Sequence, residues 1–178
     1  KTITTIDAFI QLLRNTISNT DEFITMEQEL VNLHNYVLIN QTRYGDAVSV
    51  EYYVSSNCND CLLPKMILQP FIENAYFHAF PSGMRGRIEI FVRQKEQDLE
   101  IKIVDDGVGM RQEDAAQAVS KETSKEHYSG IGIHNVHERL KLLYGDSYGI
   151  TMESSENKGT CVRILLPFRT DHQKGESE

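Results

Sequence analysis

The sequence predicts an α+β protein: a two-layer sandwich with helices on one face of a mixed, mostly antiparallel sheet. Three observations carry this. Residues 87–94 and 98–104 each alternate apolar and polar positions (Ile88/Ile90/Val92, then Leu99/Ile101/Ile103) about the polar turn Lys95-Glu96-Gln97, which reads as a hairpin. Residues 149–154 and 160–166 repeat the pattern about Asn157-Lys158-Gly159. The order after residue 46 is β-α-β-β-loop-α-β-β, with strands in hairpins, unlike the regular alternation of a doubly wound parallel sheet.

Taken from the start, Ile3, Ile6, Ile10, Leu13 and Ile17 form a narrow apolar stripe at helical spacing. The stripe suits either a partner helix or the chain's own core. Thr25-Met26-Glu27-Gln28 has capping-box spacing, with Thr25 as N-cap and Gln28 at N3. The helix it opens carries Leu30, Leu33 and Val37 and stops near Gly45. Residues 47–54 read as a strand. A polar loop with Cys58 and Cys61 follows, and Pro64 opens a helix that runs to about Phe80 and is stopped by Pro81-Ser82-Gly83. Residues 111–129 are polar and weakly periodic, Gly130–Tyr144 read as a helix ended by Gly145, and residues 171–178 read as a disordered tail.

Bulk properties narrow the function. The formal net charge of −8 argues against a general nucleic-acid surface. No run approaches the roughly 20 apolar residues of a membrane span. The chain lacks an initiating Met and opens inside a helical pattern, so it reads as part of something longer. Three cysteines without a secretion signal suit a reducing cytoplasm. Cys58-x-x-Cys61 has no second ligand pair for a zinc site, and it reads as incidental to its loop.

Three motifs carry chemistry. In Gln69–His78, Gln69 and Glu73 share one helix face, and Asn74 and His78 the adjacent face. Amides, a carboxylate and an imidazole together are either a ligand-facing side or a solvated one. Asp105-Asp106-Gly107-Val108-Gly109 directly follows a strand: a carboxylate able to accept from an exocyclic amine, then two glycines that let backbone approach a ligand. By itself it is also compatible with an ordinary turn. Gly130-Ile131-Gly132 leads into a helix, where free N–H groups suit phosphate. It is not a Walker loop, which needs G-x-x-x-x-G-K-(S/T).

In this order, with Gly159-Thr160 before the last strand, the motifs resemble the ATP site of the GHKL superfamily, with its Bergerat-type fold. Within it, "LPKMILQPFIENAYFHAF", "GIGIHNVHERLKLLYG" and "GTCVRILLPF" are similar to the wording of YesM/LytS-like sensor histidine kinases. The resemblance implies that Asn74 holds Mg²⁺ against the ATP phosphates and that Asp105 accepts from the adenine amine. It implies that Gly107 and Gly109 make room for the base, that Gly130 and Gly132 line the triphosphate, and that Thr160 lies near the adenine. Residues 111–129 become an ATP lid. Phe77 stands where many relatives have Lys, so His78 or the lid residues Lys121 and Lys125 are candidates for that phosphate contact. Glu73 is a candidate acid/base, and Arg139 and Glu138 read as helix-surface partners.

The implied organisation is 1–45 as the end of a helical dimerisation region, 46–170 as the ATP-binding domain and 171–178 as a tail. The implied whole is a homodimeric kinase, membrane-anchored upstream, whose cytoplasmic part passes phosphate to a response regulator. The family's acceptor phrase H-F-L-(Y/F)-N does not occur here, and none of the six histidines fits it, so the phosphoacceptor is expected outside this chain. Two other readings stay open: a related ATPase in which ATP drives lid closure, and a catalytically silent interaction module of the same fold.

Overall fold

The structure, a computed structural model, describes residues 22–45, 47–81, 84–120 and 129–170 together with Ile10. The rest of the Ile3–Ile17 stripe, residues 121–128 of the 111–129 stretch expected to form a lid, and residues 171–178 lie outside the described residues.

Strand β1 (Phe23–Thr25) runs directly into helix α1 (Met26–Tyr44). The capping box forms as the spacing requires: Thr25 Oγ1 accepts from Gln28 N–H at 3.3 Å, and Thr25 N–H donates to Gln28 Oε1 at 3.0 Å. At the other end Gly45, at φ +76°, donates its N–H to the Gln41 carbonyl at 2.9 Å. α1 shares the core of the sandwich, burying Met26, Leu33 and Val37 in it. Burying such side chains fully contributes roughly 1.5–3 kcal/mol each.

Strand β2 (Val48–Val54) is followed by a single 3₁₀ turn and the short strand β3 (Leu62–Pro64). β3 pairs antiparallel with β1, placing Pro64 opposite Phe23. Pro64 therefore closes a strand and does not open a helix; helix α2 begins at Gln69 and runs to Asn74. The backbone then continues as a π-turn, Ala75–Ala79, before stopping at Phe80. The two cysteines lie in the connection between β2 and β3, as read, but point into the core and not to its surface. Cys58 and Cys61 are both fully buried, and Cys61 forms a bridge with Thr170. Burial pushes both thiols up, Cys61 to about 11, which leaves them protonated.

The hairpin of β4 (Gly86–Lys95) and β5 (Asp98–Asp105) forms as read, and so does that of β6 (Gly149–Ser154) and β7 (Thr160–Pro167). The sheet order is β2-β4-β5-β7-β6, with β2 parallel to β4 and every other pair antiparallel. Alternate residues (Ile88, Ile90, Leu99, Ile101, Ile164, Leu166) are buried under the helices. The opposite face carries charge. At its centre Glu100 is only 3% exposed, held by Arg93 (Nε to Oε1, 2.7 Å) and approached by Arg163 at 3.6 Å. Burial raises its proton affinity, but the Arg93 hydrogen bond and the surrounding cations outweigh that and leave it below the ordinary carboxylate value.

The lid stretch, read as weakly periodic, contains helix α3 (Gln112–Ser120). Ala115, fully buried, docks it on the core, and the half-buried Ala118 and Val119 pack there beside it, a stripe of small side chains that gives only a weak periodic signal. Helix α4 (Ser129–Tyr144) follows and ends at Gly145.

Candidate functional site

Sheet register builds one end of the site. Asp105 ends β5 and Thr160 begins β7, and the antiparallel ladder sets them opposite each other. Thr160 in turn faces Ser154 across β6, and their hydroxyls lie 3.0 Å apart. Asp105 Oδ1 accepts the Gly107 N–H at 3.0 Å, and Thr160 also bonds the carboxylate through backbone and side chain. Burial, the largest influence, raises the proton affinity of Asp105; these hydrogen bonds oppose it without reversing the direction.

The glycines after Asp105 let three chain segments cross closely. Gly109 sits at φ +62°, and a Cβ there would lie 2.0 Å from the Ser155 carbonyl oxygen. Gly159 sits at φ +77°, and its Cβ would lie 1.9 Å from the Asp105 carbonyl oxygen. Both positions combine a left-handed backbone with no room for a side chain. Gly107 is pressed against the Ala79 carbonyl, which accepts the Val108 N–H at 2.9 Å. The glycine loop is thereby bonded to the π-turn that follows Asn74. Asp106 turns away and accepts the Arg87 N–H at 2.7 Å.

A cavity of about 470 Å³ lies between α2, the ends of β5 and β7, and α3. Asn74, His78, Asp105, Gly109 and Thr160 all line it, over a floor that includes Ile103 and Val162. The π-turn begins right after Asn74 and includes His78, so both reach the cavity from a locally widened helix, a feature frequent at functional sites. Glu73 lies outside the lining, and its Oε1 accepts from Gln69 Nε2 at 2.8 Å. Gly130 and Gly132 fall within the first turn of α4; Gly132 lies outside the lining, and a Cβ on it would meet Pro70 Cβ at 3.1 Å, so it serves the contact of α4 with α2. Lys121 and Lys125 lie outside the described residues. Phe77 is 53% exposed and does not line the cavity.

Sequence reasoning missed several participants. Arg111 and Asp114 line the cavity from the α3 side, paired at 2.9 and 3.1 Å. Arg111 directly follows the glycine loop, and that position was the available signal. Ser154 joins the segments: its hydroxyl accepts the Met110 N–H at 2.9 Å and donates to the Gly159 carbonyl at 2.9 Å. Nothing in the sequence near Ser154 marks this. Arg139, read as a surface partner, reaches back to the Lys65 carbonyl at 3.0 Å.

Asn74, an amide lining a roomy cavity, is of a residue type able to offer an oxygen to Mg²⁺, which is usually bound by one or two protein groups plus substrate phosphates. Among the described residues no group of three or more His, Cys, Asp or Glu is placed to hold a metal by itself.

A carboxylate closing a strand, a glycine loop locked under a helix and a helix amide facing both define a nucleotide-binding sandwich. Residues 59–170 match the family model described as "Histidine kinase-, DNA gyrase B-, and HSP90-like ATPase", and this chain belongs to that family. Residues 1–48 match the model described as "Histidine kinase". The chain is similar to sensor protein LytS of Bacillus anthracis, at 29% identity over 85% of this chain and 26% of that protein. It is similar to sensor histidine kinase YpdA of Escherichia coli K12, at 34% identity over 83% of this chain and 25% of that protein. It thus spans about a quarter of the length of these relatives. Among solved structures, histidine kinase ThkA in complex with response regulator protein TrrA shares the fold, with a TM-score of 0.60 and 12% identity over 92% of this chain and 48% of that one. Among the described residues no helix is long and apolar enough to cross a membrane.

Proposed function

We propose that this chain is the ATP-binding catalytic part of a two-component sensor histidine kinase. It binds Mg-ATP and directs the γ-phosphoryl group to a histidine presented by another segment. The bond from the γ-phosphorus to the β,γ-bridging oxygen breaks, a phosphorus–nitrogen bond forms on the acceptor imidazole, and ADP leaves. In this reading the Asp105 carboxylate accepts from the adenine amino group beside Thr160. Asn74 holds the metal from the opposite wall, and His78 faces the phosphates. Mg²⁺, held by Asn74, would supply neutralising charge to the phosphates; the protein's part is positioning and exclusion of water. Residues 1–45 are assigned to the end of a dimerisation region and 46–170 to the ATP-binding domain. The whole protein is then a membrane-anchored homodimer with this domain in the cytoplasm and a response regulator as recipient. The relatives' names and the TrrA complex of ThkA support those assignments.

The observation that carries the reading is one cavity lined at once by Asn74, His78, Asp105 and Thr160. Calorimetric titration of ATP with and without Mg²⁺ tests it. Saturable binding should weaken roughly 10- to 100-fold in Asp105→Asn, the range expected for a hydrogen bond to a charged group. Asn74→Ala should lose the Mg²⁺ dependence. Absence of binding at millimolar ATP sinks the reading. Phosphate transfer to a separately supplied acceptor helix distinguishes a kinase from a lid-closing ATPase.

A further inference from the structure

The four residues before α2 are gripped from both sides. On one side stands Glu29, a carboxylate on α1 that is only 2% exposed. Its Oε2 accepts the Met66 N–H at 2.9 Å and its Oε1 the Leu68 N–H at 3.0 Å, and it also bonds the Ile67 backbone. Met66 adopts φ +62°, unusual for a residue with a side chain, and this conformation accompanies the convergence of successive N–H groups on one carboxylate. On the other side stands Arg139 of α4, which donates to the Lys65 carbonyl at 3.0 Å and to the Glu22 carbonyl at 3.4 Å. Its guanidinium is also 3.8 Å from the Glu22 carboxylate.

A buried ion is costly unless its hydrogen-bonding capacity is filled. A capping residue without a buried charge would suffice to start α2, yet Leu68 at its N-cap makes no side-chain cap bond, and a carboxylate from a different helix stands there instead. From Leu68 to Asn74 is six residues, roughly 9 Å of helix at 1.5 Å per residue. A short hydrogen-bonded helix transmits a shift of its first turn to its end with little loss. Phe71 and Asn74, both on α2, face the cavity.

We infer that Glu29 is a positioning residue for the metal-and-phosphate side of the nucleotide site: through the 66–68 amides it sets the placement of α2 and hence of Asn74, with Arg139 holding the same segment to α4. A displacement of α1 is thereby read out as a change in Mg-nucleotide binding. This rests on the assignment of Asn74 to the metal. Glu29 touches neither nucleotide nor metal, and the adenine side, built from Asp105 and Thr160 on the sheet, does not depend on it.

The test separates the two sides of the site in the 178-residue chain. Glu29→Ala, Asn74→Ala and the wild-type chain are each titrated with ATP in the presence and absence of Mg²⁺ and with adenosine, and the unfolding of each is followed thermally. Glu29→Ala is expected to lose on the order of 10-fold in Mg-ATP affinity, as outer partners of a metal ligand commonly do. Its adenosine affinity is expected to stay within about 2-fold of wild type, since distant, independent sites behave additively. Equal loss for both ligands overturns the inference, because it marks general loosening. A lowered unfolding temperature with both affinities intact overturns it as well, because Glu29 is then only structural. Wild-type ATP binding that ignores Mg²⁺ overturns the Asn74 assignment and this inference together. Should Glu29→Ala fail to fold, Glu29→Asp, which keeps the charge and withdraws it by one methylene, carries the same comparison.

Discussion

Asp105 meets two opposed demands at one position. Burial favours its protonated form, and the hydrogen bonds from Gly107 and Thr160 favour the ionised one; the balance leaves its pKa above the ordinary 3.8. For an acid with a raised folded-state pKa, the stabilising contribution is complete below the unfolded value and is lost as pH rises through the folded value. At neutral pH the ionised carboxylate is thus a cost carried by the fold. Asp105→Asn, which keeps an oxygen for the Gly107 N–H, is expected to unfold at a higher temperature than wild type at pH 7 while binding ATP more weakly, a trade of function against stability. A thermal melt beside the titration checks this, and a variant that is both weaker in binding and less stable contradicts it. Asp105 was legible in the sequence because a strand followed by a carboxylate and two glycines is a local pattern. Ser154, which ties Met110 to Gly159 and Thr160, was not, because Met110 lies 44 residues away in the chain.

β6 shows what an element requires beyond its own pattern. It lies at the edge of the sheet, where unpaired backbone groups invite association. Side chains from two helices fill that edge: His137 Nδ1 accepts the Ile150 N–H at 3.0 Å, and the Gln112 amide donates to the Met152 carbonyl and accepts the Ser154 N–H, both at 3.0 Å. Only a neutral His137 can accept. Desolvation first, then the charge of Lys141, holds its pKa below 6.5. With a depressed folded value, its contribution is present above the unfolded pKa and is lost as pH falls through the folded one. Amide exchange at Ile150, corrected for intrinsic rates, is expected to lose protection as pH drops from about 7.5 to 5. In His137→Ala the protection at pH 7.5 should be lower by a factor of about 5, the worth of a hydrogen bond near 1 kcal/mol, and should not change with pH in that range, so that wild type approaches it toward pH 5. Protection that falls equally in both proteins contradicts the role. The hairpin itself was legible from alternation. Its edge partners were not, since Gln112 and His137 meet β6 across 40 and 13 residues of chain and neither contact leaves a local pattern.

Across the whole molecule, the proposed ligand bridges parts distant in the chain: α2, the sheet ends and α3. A ligand that binds only the folded state stabilises it by RT ln(1 + [L]/Kd), about 2.7 kcal/mol at 100 times Kd. For a chain of this size that corresponds to a rise of roughly 5–11 °C in melting temperature. Differential scanning calorimetry with Mg-ATP checks it, and a midpoint that does not move argues against a nucleotide spanning these elements. The sequence by itself determined the strand pairs, α1 with its capping box, the position of α4 and the glycine motifs, because each rests on spacing within a few residues: period 2, period 3.6, or a backbone conformation that glycine alone adopts readily. It also offered Asn74, His78 and Asp105 as candidate ligand-facing side chains, and Thr160 through the family resemblance. Only the tertiary structure decided that Pro64 ends a strand paired with Phe23, that the two cysteines are core residues, and that Glu29 and Arg139 grip the start of α2. Each of those depends on a contact between segments far apart in the chain, where the energy comes from burial and from pairing backbone groups that have no local partner.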